Sequence, residues 1–270
     1  MLRRLPLTRV GAAAAAAGGY VASEYEAYTK IVEDARVEHH LPSPDDARLT
    51  EVVTVPRLLN DEEIAAVERL SSSKGSVMGS AGRNAANQAA SYHTGVWETT
   101  YLSTGGVFAQ ELPEVRAKLI KAAADADERH WGILRCATMP VAPRCVEYHR
   151  VSPSGSLPFE GHHDAGSMLT IDVLLSDPAE FDGGAFVTTD TDGTQREHAF
   201  GRGDALIFLS HKPHSVMPVT AGERRVLVME LWEGEERKCG HRCERHWGPC
   251  NHTARASFWR RALQDIASDL

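Results

Sequence analysis

The sequence predicts a mainly β fold (α+β) with helices in its N-terminal half and an antiparallel sandwich or barrel as its core. Two observations predict it. From Cys145 onward, short apolar runs of strand length are separated by turns rich in Gly and Asp, with no helical periodicity between them. Upstream, two segments instead show apolar residues at helical spacing. A jelly roll, which brings remote strands together at one mouth, is the arrangement we expect.

The first predicted elements are a short strand and a capped helix. The strand covers residues 52–55 and ends at Pro56. Asn60 suits the N-cap position of the helix, and Glu63 stands where a capping box places its second side chain. One apolar face is expected along this helix, formed by Ile64, Val67 and Leu70.

A long aperiodic segment separates this helix from a second one. Residues 71–94 are rich in Ser, Gly, Ala and Asn, so they predict either disorder or a functional lid. Pro113 then opens the second helix, whose apolar stripe contains Val115, Leu119 and Ala123. Both helices are expected to support the core.

The remaining chain is expected to form the β core and a tail. Predicted strands cover residues 146–151, 168–175, 184–188, 205–209 and 225–231. Gly183 and Gly184 indicate a tight turn or bulge between strands. The expected organisation is a possible targeting segment (1–23), a helical support region with the flexible loop (24–130), the jelly-roll core (131–235), and a Cys/His-rich tail with a terminal helix (236–270).

Composition narrows the class of protein. The chain has 270 residues and a formal net charge of -8, so its overall charge does not favour a nucleic-acid partner. No run reaches the roughly 18 apolar residues that a membrane-spanning helix requires. A globular protein without a membrane span is the expectation, and its oligomeric state is left open.

The first 23 residues differ in composition from the rest. They contain Arg3, Arg4 and Arg9, no acidic residue, and an alanine run. Such a segment resembles an organelle transit peptide; a secretory signal and a cytosolic, disordered or helical N-terminus are the alternatives. The compartment therefore stays open.

Four residues carry the chemistry that the sequence suggests. His162 and Asp164 form a His-x-Asp step, His214 follows Asp164 by 50 residues, and Arg224 lies 10 residues further on. Two imidazoles and one carboxylate can hold Fe(II) and leave coordination positions open. On a strand, His162 and Asp164 would project to one side while His163 points away. A His-x-Asp step alone carries little weight, because roughly 0.7 such pairs are expected by chance.

The order of the later residues adds weight. His214 follows the buried strand 205–209, and the spacing from it to Arg224 fits a return strand beside it. His211, in the same loop, is the rival ligand. Arg224 suits a carboxylate because its planar guanidinium makes paired, charge-assisted hydrogen bonds.

Residues 148–232 resemble the catalytic domain of the 2-oxoglutarate/Fe(II) dioxygenases of the prolyl 4-hydroxylase and procollagen lysyl hydroxylase group. The matching pieces are HHDAGSMLTIDVLL, FDGGAF, GDALIF and HSVMPVTAGERRVLV. The resemblance implies a double-stranded β-helix (jelly-roll) core, with His162, Asp164 and His214 as iron ligands. It implies that Arg224 binds the distal carboxylate of 2-oxoglutarate and that Tyr148 assists. Thr170, which alternates with Asp172 along the strand after the His-x-Asp step, is a further co-substrate candidate, and a cross-strand hydrogen bond is the alternative for it.

The implied reaction is hydroxylation of a prolyl or lysyl residue in a peptide or protein. Fe(II), 2-oxoglutarate and O2 would be required, succinate and CO2 would be released, and ascorbate would support activity. The alternatives are the same chemistry on a free amino acid or small molecule, and a non-catalytic jelly-roll binding module. Asp164 favours hydroxylation, because related halogenases lack this carboxylate.

The tail contains a separate group of candidate ligands. Cys239, His241 and Cys243, followed by His246, Cys250 and His252, lie close in sequence, but their spacings match no closed four-ligand zinc pattern well. Zinc binding, a disulfide and a plain polar tail remain the alternatives. The five cysteines of the chain are an odd number, so at least one thiol is unpaired within a monomer.

Overall fold

The computed structural model describes residues 41–73, 96–157, 162–248 and 250. Apart from Cys250, these residues belong to one compact unit, His40–Gly248. Three predicted features lie outside the described residues: the targeting segment 1–23, most of the loop 71–94, and the terminal helix 254–270. These features, and the predicted domain boundaries, stay predictions.

The four described α-helices all lie before residue 131, whereas nine of the eleven described strands follow them. The helices are α1 Pro44–Arg48, α2 Asp61–Ser73, α3 Val107–Glu111 and α4 Pro113–His130. The strands are β1 Val53–Val55, β2 Trp97–Tyr101, β3 Val141–Val151, β4 Leu169–Leu174, β5 Phe181–Gly183, β6 Phe186–Thr189, β7 Gln195–His198, β8 Ala205–Leu209, β9 His214–Val216, β10 Val219–Gly222 and β11 Arg224–Glu233. Among the described helices, none has the length and apolar character that crossing a bilayer requires.

Two antiparallel sheets form the core. The large sheet has the order β1-β8-β4-β11-β3-β2 and the small sheet the order β7-β6-β9, while β10 pairs with β5. The chain passes repeatedly between the two sheets, because β4, β8 and β11 lie in the large sheet and β6, β7 and β9 in the small one. This alternation is the winding of a jelly roll. The predicted mainly β fold with a jelly-roll core is confirmed.

The predicted strands are confirmed with changes at their ends. The strand predicted at 146–151 is the second half of β3, which begins at Val141. The strand predicted at 184–188 begins at Phe186 instead. Gly183 and Gly184 precede it with φ of 75° and 65°, which side-chain-bearing residues rarely adopt. These values fit the predicted turn or bulge between strands.

The capping box at the start of α2 is also confirmed. The Asn60 side-chain oxygen accepts a hydrogen bond from the Glu63 backbone N–H (2.9 Å), and the Glu63 carboxylate accepts one from the Asn60 N–H (2.8 Å). The predicted apolar faces of α2 and α4 are buried against one face of the large sheet. That face, here the outer face, carries Ile171, Ile207 and Leu227 among others.

The opposite face of the large sheet points toward the small sheet. Leu206 and Phe208 of β8 pack there against Phe186 and Val216 of the small sheet. Because side chains alternate along a strand, polar residues of β3 and β4 share this inner face. The space between the two sheets therefore combines an apolar floor with a group of buried polar side chains.

Candidate metal centre and cleft

His162, Asp164 and His214 meet in the cleft between the two sheets. The sequence placed the His-x-Asp step on a strand, but residues 162–164 form an irregular segment before β4. Backbone hydrogen bonds position this segment: the His214 N–H donates to the His162 carbonyl (2.9 Å), and the Asp164 N–H donates to the Ser210 carbonyl (2.8 Å). The connection from β8 to β9 thus brings the distant histidine to the step.

The three side chains have the geometry of a ligand set. One donor atom from each lies within 4.8 Å of the other two. The Asp164 carboxylate oxygens lie 3.4 Å from His162 Nε2 and 3.9 Å from His214 Nε2. The two imidazole rings are nearly perpendicular, with centroids 4.9 Å apart. Two imidazoles and one carboxylate, converging on a single point, fit an Fe(II) ion with open positions.

The orientation of His214 is set by its surroundings. Its Nδ1 lies 2.9 Å from the Lys212 carbonyl, which can only accept, so Nδ1 carries the proton and Nε2 presents its lone pair. Phe186 stacks against the ring at 5.4 Å, and Phe208 meets it edge-on at 5.0 Å. Burial lowers the pKa of His214 to about 4, despite the attraction of Asp164. The ring is neutral at pH 7, as metal binding requires.

Asp164 is held in its ionised form by hydrogen bonds and a neighbouring guanidinium. Burial alone would raise its pKa, but Arg242 and His162 outweigh that effect and hold the pKa well below its usual range. Arg242 Nη1 lies 3.1 Å from one carboxylate oxygen, and the Thr170 hydroxyl donates to the other at 2.7 Å. Asp164 is therefore an oriented, charged ligand.

The other two histidines of these segments are not part of the ligand set. The His163 and His211 rings lie beside each other, with centroids 5.4 Å apart. Neither residue lines the cleft, whereas His162 and His214 both do. The choice of His214 over His211 in the sequence thus agrees with the placement of the two rings.

Arg224, the first residue of β11, brings a buried positive charge into the same cleft. Its side chain is almost fully buried, and among the described residues its Nη2 atom has no hydrogen-bond partner. Burial lowers its pKa to about 10, so it stays charged at pH 7. A buried guanidinium with an unsatisfied donor is costly unless an anion completes it. The cleft therefore fits a carboxylate-bearing co-substrate next to the metal ligands.

Asp172 lines the cleft as well and interacts with the charge of Arg224. Burial raises its pKa to about 7, and the attraction of Arg224 only partly offsets this. The carboxyl is thus partly protonated near neutral pH. When Asp172 is protonated, it no longer neutralises the charge of Arg224, and that charge can bind an anionic ligand.

Gly184 leaves room for the Arg224 side chain because it has no Cβ atom. A Cβ at this position would lie 2.8 Å from Arg224 Cδ and 3.0 Å from Val219 Cγ2. We expect Gly184→Ala to displace Arg224 and raise the apparent KM for a keto-acid co-substrate about tenfold, the loss of roughly one hydrogen bond to a charged group. Steady-state kinetics with varied 2-oxoglutarate tests this. Gly193→Ala, with open space around its Cβ position and a similar φ of 83°, controls for backbone strain.

The structure corrects the assignment of Tyr148 to the co-substrate. Tyr148 belongs to the cluster on the outer face of the large sheet, under the helices. Its neighbours in β3, Glu147 and His149, line the cleft instead. The reason is the alternation of side chains along the strand, which puts residues 147 and 149 on one face and residue 148 on the other.

For Thr170 the structure shows the hydrogen-bonding alternative and not the contact with a co-substrate. The Thr170 hydroxyl donates to Asp164 and lies 2.9 Å from the Ser210 hydroxyl, and the side chain does not line the cleft. Thr170 shares the inner face with Asp172 but lies under the carboxylate ligand. It orients Asp164 and does not face a co-substrate.

Three residues around the ligands were not predicted. Glu147 and His149 could have been found from the alternation of side chains along β3, once one residue of that strand is known to face the cleft. Arg242 has no sequence signal, because it lies beyond the β core in the tail. Its guanidinium contacts Glu147 (2.8 Å), Glu230 (2.8 Å) and Asp164. Together with Arg144, which lies 3.3 Å from Glu230, it balances a buried acidic cluster.

Comparison with known proteins finds partial relatives among hydroxylases. No family model matches it. A PKHD-type hydroxylase of Stutzerimonas stutzeri is 46% identical over 56 residues, 21% of this chain and 24% of the relative. A PKHD-type hydroxylase of Stenotrophomonas maltophilia is 32% identical over 129 residues, 43% of this chain and 56% of the relative. The chain thus spans between a quarter and just over half of the curated relatives it matches.

The solved structures similar to this chain include a prolyl-4-hydroxylase of Pseudomonas putida. Its TM-score is 0.46 at 15% identity, and the match covers 71% of this chain and 97% of that one. The chain is homologous over these stretches to PKHD-type hydroxylases, which confirms the predicted resemblance to hydroxylases.

Proposed function

We propose that the protein is a 2-oxoglutarate- and Fe(II)-dependent dioxygenase that hydroxylates a prolyl or lysyl residue of a peptide or protein. The observation that carries this is the convergence of His162, Asp164 and His214 beside the buried Arg224. The partial relatives named as PKHD-type hydroxylases support the same class of reaction.

Each residue has a role that its surroundings support. His162, Asp164 and His214 would hold the iron, which with 2-oxoglutarate and O2 supplies the oxidising power for C–H hydroxylation. Arg224 would bind the distal carboxylate of 2-oxoglutarate through its unsatisfied donor. The apolar side chains Leu157, Phe186 and Val216 line the cleft and limit access of water.

Succinate formation tests the reaction class. Purified protein with Fe(II), ascorbate and 2-oxoglutarate should form succinate, and His162→Ala and Asp164→Ala should each abolish it, because two ligands hold the ion poorly. His163→Ala is the matched control: it removes an adjacent imidazole that does not line the cleft, so it should retain activity. Undiminished turnover in both ligand variants would contradict the proposal.

The substrate class is supported by the resemblance to prolyl and lysyl hydroxylases. A panel of prolyl and lysyl peptides, free proline, free lysine and other small molecules, scored for stimulation of succinate release, tests it. We expect stimulation by a peptide together with a mass increase of one oxygen on proline or lysine. Stimulation by a free amino acid alone would move the protein to small-molecule hydroxylases. Metal binding without decarboxylation under any condition would make it a non-catalytic binding module.

A further inference from the structure

A second group of metal-binding side chains lies in the segment that follows β11. The described residues 234–248 form neither helix nor strand. Within them Cys239, His241 and Cys243 alternate along the chain, and one ligand atom of each lies within 4.8 Å of the other two. None of the three is an assigned ligand of the iron centre.

The backbone of this segment is fixed to the core at both ends of the group. The Ser103 hydroxyl donates to the Cys239 carbonyl (3.1 Å), and Arg144 Nε donates to the Cys243 carbonyl (2.7 Å). Both cysteine side chains are buried, and Cys243 forms no disulfide. These hydrogen bonds fix the backbone at Cys239 and Cys243, so the ligand atoms of the three residues lie together in a segment without regular secondary structure.

The donor chemistry selects the ion. Two thiolates and an imidazole favour zinc, which takes tetrahedral sulfur and nitrogen ligands, over the harder ions Mg²⁺ and Ca²⁺. We propose that Cys239, His241 and Cys243 bind a structural zinc ion, for which the sequence offers Cys250 as a fourth ligand. This site is separate from the iron centre and goes beyond the proposed reaction.

A zinc ion here would also matter for the cleft. Arg242 lies between His241 and Cys243 in the chain, and its guanidinium reaches Asp164 at 3.1 Å. An ion held by the residues on both sides fixes the backbone that carries Arg242.

Metal content tests the site once the iron ligands are removed, because two imidazoles and a carboxylate also bind zinc. In His162→Ala/His214→Ala protein expressed with zinc, we expect about one zinc per chain by mass spectrometry of the metal. Adding Cys239→Ser and Cys243→Ser should remove it, while adding Cys136→Ser, at an exposed cysteine outside the group, should not. An unchanged zinc content after adding Cys239→Ser and Cys243→Ser, or no zinc in the His162→Ala/His214→Ala protein, would overturn the proposal.

Cobalt substitution keeps the proposal testable if the serine variant fails to fold. Co(II) bound by thiolates gives sulfur-to-metal charge-transfer absorption, which the sulfur-free iron centre cannot produce. We expect this absorption in the unaltered chain loaded with Co(II), whether or not the protein forms succinate. Its absence, or a disulfide between Cys239 and Cys243 found by mass spectrometry, would exclude the zinc site and leave the proposed dioxygenase reaction untouched.

Discussion

Arg242→Gln should destabilise the protein by about 3–5 kcal/mol at pH 7, because it leaves buried carboxylates without their counter-charge. Arg242 contacts Glu147, Asp164 and Glu230, all buried. Its charge is a principal reason that the pKa of Glu147 falls to about 2 and that of Asp164 well below its usual range, against the opposing effect of burial. Urea unfolding followed by circular dichroism measures the loss.

The pH dependence of the destabilisation by Arg242→Gln follows from the lowered pKa values of Glu147 and Asp164. A carboxyl whose pKa is lowered on folding contributes stability above its unfolded pKa of about 4 and loses that contribution as the pH falls through the folded value. The destabilisation by Arg242→Gln should therefore shrink as the pH falls from about 5 to about 2. Arg150→Gln is the control, since Arg150 pairs with Glu98 and Glu223 at the surface and should cost less than about 1 kcal/mol. Equal losses in both variants would contradict the buried-cluster account.

Asp172→Asn should remove a pH dependence from both stability and co-substrate binding. The pKa of Asp172 is about 7 in the folded protein, and its ordinary value is 3.8. Between these values the folded protein keeps a proton that the unfolded chain releases, so stability falls as the pH rises from about 4 to 7. The full effect is on the order of 4 kcal/mol. Unfolding measured across this range should show a flatter profile in the variant.

The same carboxyl should couple 2-oxoglutarate binding to proton uptake. A bound carboxylate beside Asp172 disfavours the ionised form of Asp172. Binding of 2-oxoglutarate near pH 7–8 should therefore be accompanied by uptake of as much as one proton, and the affinity should fall as the pH rises. Calorimetry in buffers of different ionisation enthalpy counts that proton. Asp172→Asn should bind without proton uptake, whereas Asp182→Asn, an exposed residue in β5, should behave as the unaltered protein. Uptake that persists in Asp172→Asn would assign the proton to another group.

Local patterns predicted the features that depend on neighbouring residues. The capping box of Asn60 and Glu63 needs only residues three positions apart, and it forms as expected. The order of His162, Asp164, His214 and Arg224 predicted a shared site because a jelly roll returns remote strands to one mouth. The His-x-Asp step was placed on a strand, yet it lies in an irregular segment tied to the β8–β9 connection.

The remaining features depend on which face of a strand is buried and on distant contacts. The sequence alone does not say which face of β3 is the inner one. Tyr148 was therefore assigned to the cleft, whereas Glu147 and His149 on the other face line it. Arg242 could not be predicted, because its contact with Asp164 joins residues 78 positions apart through a segment without regular structure. Long-range pairs of this kind leave no periodic signal.

The most direct test of the central claim is the affinity of the protein for 2-oxoglutarate, measured by anaerobic calorimetry with and without Fe(II). The cleft predicts binding that requires the metal and falls roughly ten- to a hundredfold in Arg224→Gln, the loss of charge-assisted hydrogen bonds to one carboxylate. Arg196→Gln, at an exposed arginine paired with Asp190, should leave the affinity unchanged. Binding that needs neither the metal nor Arg224 would contradict the assignment of this cleft to an iron centre and its keto-acid co-substrate.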